Sequence, residues 1–178
     1  MTDLNNDPII NVIHNGIRRG IRIAIENNCY GSAVVLILSG IDTMAYIGMP
    51  RCREDVLPED FIKWAERYVK FPCANQLSGI ELYGARCGML HSFSTRSKLS
   101  RKGKCRQVGY ADRCVPEVVC NSNLSGELVI VSIEGLAKAF FDGMDRFLVD
   151  LYEDKEKAML ADTRFPWLVH AFPLMKTT

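Results

Sequence analysis

The longest apolar run in the chain, from Ala33 to Ile47, most constrains what the chain can fold into. A helix that is apolar on nearly every side must be surrounded by other elements, because few of its faces are suited to water. The run is shorter than the roughly 20 residues that a membrane-spanning helix needs. Four residues also interrupt it: Ser39, Gly40, Asp42 and Thr43. The run therefore predicts the central helix of a soluble helical bundle.

Helical patterns occur on both sides of this run. Apolar residues recur at steps of three and four over residues 9–28 and about 134–157, as in amphipathic helices. Pro58 opens a further helix, and Ser78 with Glu81 has the form of a capping box that opens another. With 178 residues and 48% hydrophobic content, the chain is expected to form one domain over residues 1–178. The fold class predicted is mainly α, an antiparallel bundle of about five helices.

The pattern changes between about residues 95 and 133. Ser, Gly, Lys, Arg and Asn become frequent, and short β-like runs appear in "CRQVGYA", "VPEVVC" and "GELVIVSI". This segment lies between the capping-box helix and the long C-terminal helix. It predicts a small antiparallel β-hairpin or sheet inserted between two helices of the bundle.

The net charge of +1 says little about partners, but the distribution of charge is uneven. Residues 96 to 106 carry six bases and no carboxylate: Arg96, Lys98, Arg101, Lys102, Lys104 and Arg106. Such a segment is suited to following an RNA backbone, and Tyr110 beyond it is a candidate for stacking a base. A solvated basic loop is the structural alternative.

Arg86 and His91 are the candidate catalytic pair. An imidazole exchanges protons near neutral pH, and a guanidinium binds a phosphate with two parallel hydrogen bonds. Positions five apart on a straight helix are separated by roughly 140°, so the two side chains converge only if the helix ends or if Arg86 reaches across. Asp42 lies in the most apolar helix, where an unpaired carboxylate is costly, so it is expected to have a partner. Arg86 or His91 is one candidate; a hydroxyl or backbone group is another.

The stretch "ARCGMLHSF" resembles the motif of the HEPN superfamily, the "higher eukaryotes and prokaryotes nucleotide-binding" domain: an arginine, four residues, then a histidine, late in a helical bundle. The resemblance covers most of the chain. It implies a metal-independent ribonuclease in which Arg86 stabilises the scissile phosphate. His91 would act as general acid or base, and the products would carry a 2′,3′-cyclic phosphate.

The same resemblance implies a homodimer in which two motifs meet in one cleft, and a toxin or defence role with RNA as the partner. Many active members have Asn, Asp or His after the arginine, whereas this chain has Cys87. Two alternatives therefore remain open. One is a bundle that binds RNA or a nucleotide without cleaving it. The other is an interaction protein that docks a partner through "FPWLVHAFPLM" at residues 165–175.

No cofactor or metal is expected. The seven cysteines include no pair at the two-to-four-residue spacing of structural zinc sites, although Cys105, Cys114 and Cys120 share one segment downstream of His91. No phosphate-cradling glycine loop is present. The polar, acidic start "MTDLNNDP" is unlike a signal peptide, which predicts a cytoplasmic protein with reduced thiols and no membrane contact. His14 and His170 have no motif around them and are expected to be structural or surface residues.

Overall fold

Helices dominate the computed structural model, which describes residues 7–50, 53–112, 118–120 and 126–168. A π-helical segment, Ile9–Arg18, continues directly into α1, Arg19–Glu26. Six more helices follow: α2 (Tyr30–Gly48), α3 (Pro58–Tyr68), α4 (Gly79–Ser92), α5 (Lys98–Arg101), α6 (Ile133–Glu153) and α7 (Lys155–Arg164). The prediction of a mainly helical fold is confirmed.

The apolar helix α2 is the centre of the core. It contacts α1, α3, α4, α6 and α7, and Ile37, Leu38, Ile41 and Met44 on it have no exposed surface. By length and composition it could span a membrane, and no other helix among the described residues could. Half of its most apolar stretch is already covered by the protein's own residues. The prediction that the apolar run packs as a central helix is confirmed.

The C-terminal helical region is divided into two helices, which the sequence pattern did not predict. Asp154 adopts an extended conformation and ends α6. Its carboxylate accepts hydrogen bonds from the backbone N–H groups of Glu156 and Lys157, at 3.1 and 3.2 Å. An aspartate that caps the next helix in this way competes with continuation of the helix before it. The single helix expected over 134–157 is therefore wrong, and α7 runs on to Arg164.

The predicted β structure lies between α4 and α6, as expected. It comprises β1 (Gln107–Ala111), β2 (Val118–Cys120) and β3 (Leu128–Ser132), in the order β1-β3-β2. The β2 and β3 strands are antiparallel, but β1 pairs with β3 in parallel, with Gln107 opposite Leu128 and Ala111 opposite Ser132. A purely antiparallel sheet was expected, and that part is wrong. Parallel pairing is possible here because the connection that contains β2 is long enough to cross over.

Candidate active site

Arg86 and His91 meet at the C-terminal end of α4. Arg86 Nη1 lies 3.5 Å from His91 Nε2. The helix ends at Ser92, so His91 occupies the last turn, where its side chain is exposed. The Arg86 side chain is long enough to reach His91, although positions five apart point in different directions on a straight helix. The two groups therefore face one region of solvent, and both are accessible to a ligand.

Asp42 holds the other side of the Arg86 guanidinium. Arg86 Nε donates to Asp42 Oδ2 at 2.7 Å, which links α4 to the middle of α2. Burial raises the pKa of Asp42, and the hydrogen bond and charge of Arg86 reverse only part of that rise. Burial lowers the pKa of Arg86, but the hydrogen bond and charge of Asp42 raise it by more, so the guanidinium stays charged. Asp42, Arg86 and His91 thus form one line of contacts that ends at the surface.

Tyr83 belongs to the same cluster, although sequence reasoning missed it. Its pKa is raised by burial and then by the nearby Cys87 thiol, while the charge of Arg86 opposes the rise. Its ring packs edge-on against Phe61 with centroids 5.6 Å apart. Tyr83 precedes Arg86 by three residues and Cys87 by four, which is the spacing of neighbours on one helix face. This spacing could have identified Tyr83 from the sequence as a neighbour of Arg86 and Cys87. Cys87 itself is a free, half-buried thiol.

Two glycines on α4 allow the chain that follows the motif to pack closely against the helix. A Cβ atom on Gly84 would lie 2.8 Å from Cys105 Sγ, and one on Gly88 would lie 2.4 Å from the carbonyl oxygen of Ser94. Both distances are shorter than a normal Cβ contact: a side chain at Gly88 would collide with backbone, and one at Gly84 would force the Cys105 side chain to move. This close approach sets the position of the basic segment relative to Arg86 and His91.

Five of the six predicted RNA-binding bases are exposed: Arg96, Lys98, Arg101, Lys102 and Lys104. Arg96, Arg101 and Lys104 line an open groove of about 580 Å³ that Glu81 and Glu127 also line. The two catalytic candidates do not line this groove. It is a basic surface beside the motif rather than an extension of it.

Arg106 differs from the other five bases. Its guanidinium forms an ion pair with Glu81, in which Nε donates to Oε1 and Nη2 donates to Oε2 at 3.2 Å. Nη2 also donates to the carbonyl oxygen of Gln76 at 3.3 Å. Arg106 therefore ties the end of the basic segment to the start of α4, and an internal carboxylate already uses its charge.

The aromatic residue presented beside the motif is Phe93, not Tyr110. The Tyr110 ring packs against the core, and its hydroxyl is buried without a hydrogen-bond partner among the described residues. Burial accordingly raises the pKa of Tyr110. Phe93 is 66% exposed and adopts φ 49° and ψ 38° where α4 ends. Because the ring of Tyr110 packs against the core, Phe93 is the more exposed candidate for stacking a base.

The structure describes only some of the other cysteines and histidines that the sequence analysis named. Among the described residues, no three His, Cys, Asp or Glu side chains converge as metal ligands. Cys105 is a free thiol and His14 is exposed on the first helix. The side chain of Cys120, together with Cys114, His170 and residues 169–178 of the C-terminal segment, lies outside the described residues.

Comparison with protein-family models gives no match for this chain, and comparisons with curated proteins and with solved structures give no significant match. The HEPN resemblance therefore remains a prediction from the motif. The function has to be inferred from the geometry around Arg86 and His91.

Proposed function

We propose that the protein is a metal-independent RNA endonuclease of the HEPN type, acting through Arg86 and His91. One observation carries this proposal: the line of contacts in which Asp42 holds Arg86 at 2.7 Å and Arg86 lies 3.5 Å from an exposed His91. A charged guanidinium beside an accessible imidazole combines a phosphate-binding group with a proton-transfer group. RNA supplies its own nucleophile, the 2′-hydroxyl.

The reaction is an attack of the 2′-oxygen on the adjacent phosphorus, with departure of the 5′-oxygen. Asp42 accepts its hydrogen bond from Arg86 Nε, and the Nη groups of Arg86 stabilise the negative charge that develops on the phosphoryl oxygens. An imidazole removes the 2′-hydroxyl proton, and an imidazolium protonates the leaving 5′-oxygen. The products carry a 2′,3′-cyclic phosphate and a free 5′-hydroxyl.

A homodimer suits this chemistry. The attacking and leaving oxygens lie on opposite sides of the phosphorus, so separate groups serve as base and acid. Each chain contributes one His91, and two copies with their motifs facing each other would contribute one histidine for each role. Light scattering of the purified chain tests the dimer.

We propose that each copy is a single antiparallel helical-bundle domain of the HEPN type, acting in the cytoplasm in a toxin or defence role.

The test is incubation of the protein with structured RNA in EDTA, followed by analysis of the fragment ends. His91→Ala should reduce cleavage by roughly 10²- to 10⁴-fold, the usual contribution of general acid–base catalysis. His14→Ala is the matched control, because His14 is also an exposed histidine but lies on the first helix. A substrate with 2′-deoxyribose at the cleaved position should be resistant. Equal cleavage by wild type and His91→Ala would remove His91 from the mechanism.

A second candidate function, RNA binding without cleavage, has an observation in its favour. The Asp42 carboxylate offsets much of the Arg86 charge, and Cys87 stands where many active members of the resembled family have a polar residue. In that case the basic surface would bind RNA with strong salt dependence. Salt-sensitive binding with no fragments from several RNAs would select this function over the ribonuclease.

A further inference from the structure

Phe93 has two unfavourable properties: a left-handed backbone conformation and an exposed aromatic ring. Its backbone lies in the left-handed region at φ 49°, where glycine or asparagine is the usual residue and a bulky side chain is an outlier. Its ring is 66% exposed, so its burial contributes little to stability. Glycine at this position would end the helix with less strain. Because the ring is exposed, most of its surface is available to a ligand.

The ring nevertheless has a defined position. Its tip rests over Gly31 in the first turn of α2, so closely that a Cβ atom on Gly31 would lie 2.4 Å from Phe93 Cζ. The missing side chain at Gly31 creates the space that the ring tip occupies. The left-handed backbone directs the side chain towards that space. An exposed aromatic ring held at both its backbone and its tip is preorganised for contact with a ligand.

The position of Phe93 in the chain indicates what kind of ligand its ring would bind. It follows His91 by two residues, so their Cα atoms are at most about 7.6 Å apart. It precedes Arg96, the first exposed base of the basic surface, by three residues. A planar group bound on the ring would lie close to the proton-transfer group, and the basic segment that is suited to binding phosphates begins three residues further along the chain. In RNA, the planar group next to a phosphate is a nucleobase, and aromatic side chains bind unpaired bases by stacking.

We propose that Phe93 is the stacking platform for one unpaired nucleobase beside the cleaved phosphate, so that the substrate is single-stranded RNA or a loop rather than a duplex. This inference rests on the proposed ribonuclease function. In a duplex the base faces are already stacked within the helix, so they are not available to the ring. Phe93 acts as a positioning residue: it fixes the nucleotide while Arg86 and His91 carry out the chemistry.

Binding measurements in the His91→Ala background test the proposal, because the probe is then not consumed. The probe is a short single-stranded RNA containing 2-aminopurine, whose fluorescence is quenched when the base stacks. Phe93→Gly should weaken binding by roughly 5- to 100-fold and abolish the quenching. Phe93→Trp should restore both. A plot of the logarithm of affinity against the logarithm of salt concentration should have the same slope for Phe93→Gly as for its parent, since no phosphate contact is lost.

Two controls separate stacking from a folding effect. Phe93→Gly should melt at the same temperature as the parent or higher, because glycine adopts the left-handed conformation without strain. Trp167→Ala removes another exposed aromatic ring, 79% exposed and remote in sequence, and should leave RNA affinity unchanged. The duplex form of the same RNA should bind more weakly, with no dependence on Phe93.

Unchanged RNA affinity and unchanged fluorescence quenching in Phe93→Gly would overturn the proposal that Phe93 is a stacking platform. If the wild-type chain still cleaved RNA, the ribonuclease proposal would stand without it. If the wild-type chain neither bound nor cleaved any RNA, both proposals would be overturned together. A melting temperature for Phe93→Gly far below that of the parent would also overturn the inference, because it would assign the ring a structural role.

Discussion

Helix α4 takes part in two arginine–carboxylate ion pairs, one at its start and one in its middle, and the two pairs differ in their hydrogen bonding. At its start, Glu81 on the helix receives Arg106 from the basic segment. In the middle of the helix, Arg86 reaches Asp42 on α2. The Glu81 carboxylate also accepts the Ser78 N–H at 2.8 Å, whereas the described residues provide Asp42 with the Arg86 hydrogen bond alone.

The difference appears in the two carboxyl pKa values. For Glu81, burial alone would raise the pKa, but the hydrogen bonds from Arg106 and Ser78 outweigh burial and hold the pKa below its ordinary value. For Asp42, burial outweighs the single partner and the pKa is raised. A fully hydrogen-bonded ion pair stabilises the fold, while a partly satisfied one holds an arginine whose remaining donors are available to a ligand. The Glu81–Arg106 pair is therefore structural, and the Asp42–Arg86 pair belongs to the proposed site.

Arg86→Ala should produce the largest effect at the Asp42–Arg86 pair. Loss of the guanidinium should lower kcat/KM for RNA cleavage by roughly 10²- to 10³-fold, as expected when one donor to the transition-state charge is removed. The measurement is initial cleavage rates in EDTA, with Arg86→Lys as the comparison; a point charge should recover only part of the rate. Full activity in Arg86→Ala would show that the two ion pairs of α4 do not differ in the proposed way.

Arg106→Ala should produce the largest effect at the Glu81–Arg106 pair. It leaves the Glu81 side chain, which is only 7% exposed, without its cation, and we expect the free energy of unfolding to fall by about 3 kcal/mol. Urea denaturation measures this change. Lys104→Ala, an exposed base two residues away, is the control and should change the unfolding free energy by no more than about 0.5 kcal/mol. Equal stability of the two variants would contradict the structural role of Arg106.

Asp42→Asn tests whether Asp42 positions Arg86 or merely supports the fold. An amide keeps the shape but removes the charge-assisted hydrogen bond, so kcat should fall by about tenfold. KM should change little, because the phosphate-binding donors of Arg86 remain. Stability should change by less than about 1 kcal/mol, since removal of a buried charge offsets loss of the ion pair. A large loss of stability with normal kcat would instead make this pair structural, like the one at Glu81.

The smallest expected effect is a pH dependence at Glu81. Because the folded-state pKa is lowered, the stability that the Glu81 carboxylate contributes is present above its ordinary pKa of about 4.5 and is lost as the pH falls through the lower folded-state value. Glu81→Gln should therefore be less stable than wild type by about 1 kcal/mol at neutral pH. The difference should shrink below pH 4.5 in urea titrations. A constant difference across that range would show that the carboxylate charge is not the cause.

Much of the helical fold could be predicted from local patterns. The apolar run predicted α2 and its central position, and Ser78 with Glu81 predicted the start of α4, where the Ser78 side chain and the Glu81 backbone N–H do form the capping contact. These predictions succeeded because the responsible interactions lie within a few residues of each other. The break at Asp154 was missed because the apolar periodicity alone does not show that an aspartate will cap a new helix.

The sequence by itself determined that a buried central helix would form, and that Arg86 would lie on another helix with His91 near its end. Only the tertiary structure decided which carboxylate pairs with which arginine: Asp42 and Arg86 are 44 residues apart, and Glu81 and Arg106 are 25 apart. It also decided that Tyr110 packs inward. The physical reason is that hydrogen-bonded turns depend on neighbours in sequence, whereas ion pairs and ring burial depend on how separate elements pack.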